Sequence, residues 1–390
     1  MSTVPLNDLR VALVHHWLVG MRGGEKVLEA LCRIFPQADV YTLVSEPGAV
    51  SETIRQHRIT TSWIQRLPRA SQYYSHYLPF LPFAIEQFDL SVYDLVVSSD
   101  AVVSKGVITR PETCHICYCH TPMRYAWSAY HTYVRAIESS WKRRLVPFFM
   151  NYLRTWDLAS AARVDYFVAN SQTVANRIAK YYRREAEVIF PPVALSSFSI
   201  AHATDNYFLA VGQLVPYKRF DLAIEAFNRL KYPLVIVGEG PEYSKLKRNA
   251  GDNIRFVGRL SDAELSRSLS RCRALVFPGE EDFGMVVVEA HACGRPVIAL
   301  SQGGALETVV PEVNGLMFAE ESAEGLTNAV QRFVCLESQF QPQLIRETAA
   351  PFDENRFSAE LTSFISDRIE EHRDRFKTAP RKWTPASRDP

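Results

Sequence analysis

Short apolar runs, each ended by glycine or a polar turn, recur along the chain with longer amphipathic stretches between them. Val11–His15, Val40–Val44, Leu95–Ser98, Ile116–Cys119, Asp165–Ala169 and Val188–Phe190 form one set. Tyr207–Val211, Leu234–Val237, Ile254–Val257, Ala274–Pro278 and Val297–Leu300 form a second. Runs that are continuously apolar, without alternation, mark strands buried on both faces of a parallel sheet. The segments between them carry helical periodicity: Val27, Leu28, Leu31 and Ile34, then Trp141–Arg154, Val174–Tyr182, Asp221–Leu230, Ala323–Phe333 and Ser358–Glu370. Ser261-Asp262-Ala263-Glu264 has the form of a capping box at a helix start, and Asn314-Gly315 that of a turn. Strand and helix in alternation predict an α/β protein with doubly wound sheets.

The two sets are separated by Pro191-Pro192 and the polar link Ala194–Asp205. The expected organisation is a domain over 1–195, a second over 196–350, a terminal helix over 351–373 and a disordered basic, proline-rich tail over 374–390. A chain of 390 residues is longer than one hydrophobic core usually serves, which agrees with two domains. Its 47% hydrophobic and 22% charged content is that of a globular protein. A formal charge of +1 gives no reason to expect a nucleic-acid partner. No apolar run reaches the roughly 18 residues that a membrane-crossing helix needs, and MSTVPLNDLR lacks a signal pattern, so a cytoplasmic location is expected.

Seven cysteines fit reduced thiols in that compartment. Cys114-His115-Ile116-Cys117-Tyr118-Cys119-His120 invites a zinc reading, but on a strand His115, Cys117 and Cys119 face one way and Cys114 the other. Four ligands therefore do not converge within this segment, and no metal is expected.

Three places carry candidate chemistry. In the stretch from Arg273 to Val310, Glu281 lies on a loop at the carboxyl end of a strand, and Glu289 eight positions on, within a helix starting near Gly284. At 1.5 Å per helical residue the two carboxylates stand too far apart to share a proton, at a separation that suits two ends of one ligand. The helix start between them, at Phe283, Gly284 and Met285, offers amides and a positive dipole end to an anion. Gly23-Gly24 makes a similar strand–glycine–helix junction, without the G-x-G-x-x-G of dinucleotide binding. His120 ends a strand, where ligands bind in open α/β sheets.

The Glu281–Glu289 pair, with Phe-Gly between and Ala-x-Gly-x-Pro-Val-Ile-Ala following, resembles the donor-binding signature of retaining nucleotide-sugar glycosyltransferases of family four. The resemblance implies the GT-B fold: two Rossmann-like domains facing across a cleft, with the last helix crossing back to the first. It also implies site roles. Glu289 would hold the ribose, Glu281 the hydroxyls of the transferred sugar, and Val257 and Gly258 would edge the base. Gly23 and Gly24 would lie near the distal phosphate. Lys218 would neutralise the diphosphate, in a segment where Gln213 stands in place of the usual arginine; Arg219, although a neighbour pointing another way, is the candidate to restore that charge. His120-Thr121-Pro122-x-Arg124-Tyr125 resembles a run in O-antigen and lipid-linked mannosyltransferases, where the histidine contacts the sugar. Arg124 would then hold an acceptor phosphate.

The expected activity is retaining hexosyl transfer from a nucleotide diphosphate sugar to a lipid-linked saccharide, with no cofactor beyond that co-substrate. The donor leans to GDP-mannose. A UDP-sugar enzyme and a non-catalytic nucleotide-sugar binder are the alternatives. Aromatic and basic residues over Ser62–Leu90 and Trp141–Arg154 suit either the inner face of a membrane or a packed helical insertion.

Overall fold

A computed structural model describes residues 6–135, 137 and 139–377. The chain forms two compact units. The first comprises Met1–Ala169, Arg177–Glu187 and Ser358–Pro390; the second comprises Asn170–Asn176 and Val188–Phe357.

The first unit contains β1 (Val11–His15), α1 (Gly23–Ile34), β2 (Asp39–Thr42), β3 (Ile59–Thr61), β4 (Leu95–Asp100), β5 (Cys114–Cys119), α2 (Ser140–Ala161) and β6 (Tyr166–Ala169), then α3 (Gln172–Tyr182) from Arg177 onward and β7 (Ala186–Val188) as far as Glu187. Its sheet runs β3-β2-β1-β4-β5-β6-β7, parallel from β3 to β6. β1, β4 and β5 are buried at every position, as expected of strands covered on both faces.

The second unit contains β8 (Phe208–Val211), α4 (Phe220–Leu230), β9 (Leu234–Val237), β10 (Ile254–Phe256), α5 (Asp262–Arg271) and β11 (Leu275–Phe277), then α6 (Met285–Ala292), β12 (Val297–Leu300), β13 (Gly315–Phe318) and α7 (Ala323–Leu336). The sheet order is β10-β9-β8-β11-β12-β13, all parallel. One core, with Phe208, Phe227 and Phe333 fully buried, fills one face; a second, with Leu275, Val287 and Val297, fills the other. Strand order reverses between β1 and β4 in the first sheet and between β8 and β11 in the second. In open α/β sheets, ligands bind just beyond the strand ends at such a reversal.

Several elements differ from their sequence-based boundaries. Asn314-Gly315 is not only a turn: Gly315 opens β13, which pairs Gly315–Phe318 with Val297–Leu300. β3 is a three-residue edge strand, half-buried throughout, with too little apolar pattern to stand out. Tyr243–Asn249 is a helix. The aromatic segment over 62–90 divides. Ile64, Ala84 and Ile85 are core residues, while Tyr73, Phe80 and Phe83 are 42%, 53% and 58% exposed. The last helix, α8 (Glu354–Lys377), runs four residues into the expected tail; residues 378–390 lie outside the described ones. From Ser358 onward this helix belongs to the first unit.

Candidate functional site

Two constellations stand at the two strand-order reversals, and each belongs to one unit. In the first unit β1, β4 and β5 are adjacent, so their carboxyl ends bring His15, Ser99 and His120 together. The Ser99 hydroxyl lies 3.1 Å from His15 Nδ1 and 2.8 Å from His120 Nε2. A hydroxyl has one proton to give, so at most one of the two rings accepts from it and the other must donate. The serine thus couples the tautomers of two histidines. His15 is fully buried and its pKa is driven well below the usual value, by burial and then by His16 and His120 nearby. Burial, with His120 next, lowers the adjacent His16 to about 3. Both rings are neutral near pH 7.

Gly24 lies over this group. A Cβ there would come within 3.3 Å of His15 Cε1 and 3.6 Å of His120 Nε2. Gly23 is the first residue of α1, where the leading N–H groups have no intrahelical acceptors. Glu25, buried in the first turn, accepts from the Arg22 N–H at 3.1 Å.

Below the group, His120 N–H donates to the Asp100 carbonyl at 2.7 Å. The Asp100 carboxylate accepts from Val102 N–H, Ser104 N–H and Lys105 Nζ. Lys105 is fully buried and also meets Asp157, which takes further bonds from Trp127 Nε1 at 2.7 Å and the Tyr182 hydroxyl at 2.9 Å. Burial alone would favour a neutral amine, but Asp100 and Asp157 hold the Lys105 pKa above its ordinary value. This satisfied ionic network fixes the ends of β4 and β5. Arg124 follows β5 and is half-buried.

In the second unit Lys218 follows β8 and Glu281 follows β11, the two strands at the reversal. Lys218 Nζ donates to Glu281 Oε1 at 2.6 Å, with the side chains 14% and 18% exposed. Gly212 makes room for the lysine. Its φ is +152°, and a Cβ would lie 2.8 Å from Lys218 Nζ. The acidic loop is tied from beyond β12, where Gly304 N–H donates to the Glu281 carbonyl at 2.9 Å. It ends at Gly284, left-handed at φ +84° against the Phe277 ring, which caps α6. Met285 is the first residue of α6 and Glu289 its fifth, the latter buried to 4%.

The remaining candidates have distinct placements. The Val257 and Gly258 loop beyond β10 is bound to the next loop by Gly238 N–H donating to the Gly258 carbonyl at 2.8 Å. Gln213 is exposed on the loop after β8. Arg219 is left-handed at φ +52° and paired with Asp221 at 3.2 Å and with Glu321, so it does not replace the missing arginine charge. The Phe283 side chain is turned into a core with Phe190 and Phe352, ring centroids 5.7 and 5.5 Å away. That position offers a ligand its backbone only. The first unit thus gathers Gly24 and His120, and the second pairs Lys218 with Glu281. Sequence reasoning missed His15 and Ser99, because residues 84 apart meet only once the strand order is known.

Comparison with known proteins bears on this second constellation directly. Residues 195–350 match the family described as glycosyl transferases group 1. The similarity covers about two-fifths of the chain. An uncharacterised glycosyltransferase of Methanocaldococcus jannaschii is 30% identical over 175 residues, 44% of this chain and 50% of that protein. The O-antigen chain mannosyltransferase C of Escherichia coli is 29% identical over 203 residues, 47% of this chain and 53% of that protein. The chain spans about half the length of these curated relatives.

Among solved structures, HepE of Anabaena in complex with UDP superposes with a TM-score of 0.66 at 15% identity, covering 92% of this chain and all of that one. The sucrose-phosphate synthase of Thermosynechococcus elongatus gives 0.68 at 18%, covering 95% and 100%. The chain thus has the GT-B fold, with two Rossmann-like parallel-sheet domains of seven and six strands.

Proposed function

We propose that the protein transfers a hexose, with mannose from GDP-mannose as the favoured donor, to a lipid-linked saccharide with retention of anomeric configuration. The Lys218–Glu281 pair at the strand reversal of the second unit carries this reading. A nucleotide diphosphate leaving group develops negative charge as the glycosidic bond breaks, so a pre-placed cation lowers the barrier. Lys218 has three N–H donors and spends one on Glu281, leaving two for phosphate oxygens without breaking the pair. Glu281 keeps Oε2 to accept from sugar hydroxyls. The dipole end of α6 adds positive potential, and Glu289 is assigned to the ribose.

His120 is assigned to the transferred sugar, its ring held by Ser99. No carboxylate is assigned as a nucleophile, so the step is front-face. The bond from the anomeric carbon to the phosphate oxygen breaks and its electron pair stays with the diphosphate. The acceptor oxygen bonds the same face, and its proton passes to a leaving phosphate oxygen. The mannosyltransferase relative and the His120–Arg124 run favour mannose.

The acceptor is assigned to a membrane surface because of α2. Trp141, Leu145, Phe148 and Tyr152 are 62%, 57%, 79% and 47% exposed at a spacing that lines one helix face, beside exposed Arg143 and Arg144. An apolar stripe next to basic residues fits the interface of an anionic bilayer. Among the described residues no helix is long and apolar enough to cross a membrane.

The test is consumption of a panel of nucleotide sugars by the purified protein, with and without membrane extract, beside Glu281→Ala. GDP-mannose should be consumed in the presence of extract and spared by the variant. Consumption of a UDP-sugar instead would replace the donor assignment. Binding of a donor with no consumption under either condition would leave only a nucleotide-sugar binder.

A further inference from the structure

Three ligand-type side chains unused by the candidate site meet at the other end of the first sheet. Cys114 opens β5, Asp165 immediately precedes β6 and His372 comes from α8, 258 positions after the cysteine. One ligand atom from each lies within 4.8 Å of the other two. Cys114 is 2% exposed and His372 3%.

The hydrogen bonds define which atoms are presented. His372 Nε2 stands 3.1 Å from the Pro111 carbonyl. A carbonyl only accepts, so the ring proton is on Nε2 and a neutral ring presents a lone pair at Nδ1. Nδ1 is buried and has no hydrogen-bond partner. It lies 3.9 Å from Asp165 Oδ1, beyond hydrogen-bond reach. With the ring neutral, its nitrogen and a carboxylate oxygen, both electron donors, face each other beside a thiol. A cation between them resolves that opposition.

We propose that Cys114, Asp165 and His372 bind a divalent cation of the zinc class. Thiolate sulfur, imidazole nitrogen and carboxylate oxygen are the ligand set that zinc selects, at about 2.0–2.3 Å each. Their present separations close to that geometry by about 1 Å of side-chain movement. Cys114 and His372 line a cavity of about 360 Å³ together with Asp94, Glu112 and Arg373, which has room for a water as a further ligand.

Supporting bonds are already made. The Pro111 carbonyl orients the imidazole, and His115 N–H donates to Asp165 Oδ2 at 2.8 Å, the pattern by which outer groups hold metal ligands. Coordination sends the Cys114 proton to solvent, and thiolate plus carboxylate then balance the cation's two charges. Two arginines of α8 stand near: Arg375 is paired with Glu371 at 2.5 Å, and Arg373 lines the adjoining cavity. The site joins the C-terminal helix to the strand edges of the first unit. The alternation argument that excluded zinc from the 114–120 segment still holds there, since the other two ligands come from different elements.

Chelator-treated full-length protein titrated with Co²⁺ tests this. One equivalent should produce a thiolate-to-cobalt charge-transfer band with the visible bands of a four-coordinate ion, both abolished by Zn²⁺. Zn²⁺ should raise the melting temperature of the parent. Cys114→Ser should lose the charge-transfer band, and His372→Gln should weaken binding tenfold or more. Both variants are first checked for parental circular dichroism in chelator. The proposal is overturned by bands that persist in Cys114→Ser, by absence of bands and melting shift at stoichiometric metal, or by NMR showing His372 as an imidazolium paired with Asp165 and unmoved by zinc.

Discussion

Replacing Lys218 with methionine keeps the length and apolar stem of the side chain while removing the charge. Two separable consequences follow from the geometry. Glu281, 18% exposed, loses its 2.6 Å partner, and an acceptor left so nearly buried costs about 1–3 kcal/mol of stability. Independently, the leaving diphosphate loses its only assigned side-chain cation, since Gln213 is neutral and Arg219 is held by Asp221 and Glu321. Losing one preorganised donor to developing charge costs about 10²–10³ in kcat, roughly 3–4 kcal/mol. The assay is steady-state donor consumption beside thermal unfolding, for Lys218→Met, Glu281→Gln and the double variant. The double variant removes the unpaired carboxylate, so stability should return towards the parent while kcat stays at least a hundredfold down. A Lys218→Met protein with kcat within about threefold of the parent and only a lower melting temperature would show the pair to be a structural ion pair.

Other outcomes follow from the same structure. Ser99→Ala should lower kcat about tenfold or more with little change in donor KM and a displaced pH–rate profile, because it frees the His120 tautomer, and Ser99→Thr should restore most of it; equal effects of Ala and Thr would refute a positioning role. Burial lowers His16, His115 and His291 to about 3, 4 and 3; the unfolded chain takes up protons below about pH 6.5 and the folded chain does not, so stability is full above that pH and falls on acidification. At pH 5 each of these rings costs about 2 kcal/mol. Urea unfolding at pH 7 and pH 5 should show the fall, and His291→Leu should flatten it; a flat profile in the parent would refute the assignment. Phe148→Asp, at a position 79% exposed, should leave the melting temperature within about 1 °C and reduce sedimentation with anionic vesicles several-fold. Unchanged sedimentation would remove α2 from the membrane contact.

The elements most legible in the sequence are the fully buried ones. β1, β9 and β12 fall on their apolar runs to the residue, because burial on both faces leaves an uninterrupted apolar string. The Ser261–Glu264 capping box is local chemistry, and it forms as read, with Ser261 Oγ accepting from Glu264 N–H. β3 and β13 were hidden for a physical reason. Ile59–Thr61 lies half-buried at a sheet edge, and Gly315 begins a strand whose partner is 18 residues earlier.

The candidate site divides the same way. Glu281, Glu289, Lys218 and His120 stand out by residue type and neighbours. The pairing of Lys218 with Glu281 across 63 positions, the Ser99 bridge between two histidines and the Cys114–Asp165–His372 group depend on strand order or on a helix from the far end of the chain. Arg219 shows the converse: a charge at a suggestive position that the left-handed backbone commits to other partners.

The most direct test of the central claim is the anomeric configuration of the transferred sugar. GDP-mannose turned over in the presence of membrane acceptor is followed by NMR at the anomeric proton, with nucleotide release measured in parallel. The account predicts one nucleoside diphosphate released per sugar transferred, a product with the donor's own configuration, and both signals lost in Glu281→Ala. An inverted product, or no nucleotide sugar consumed with acceptor present, would contradict it.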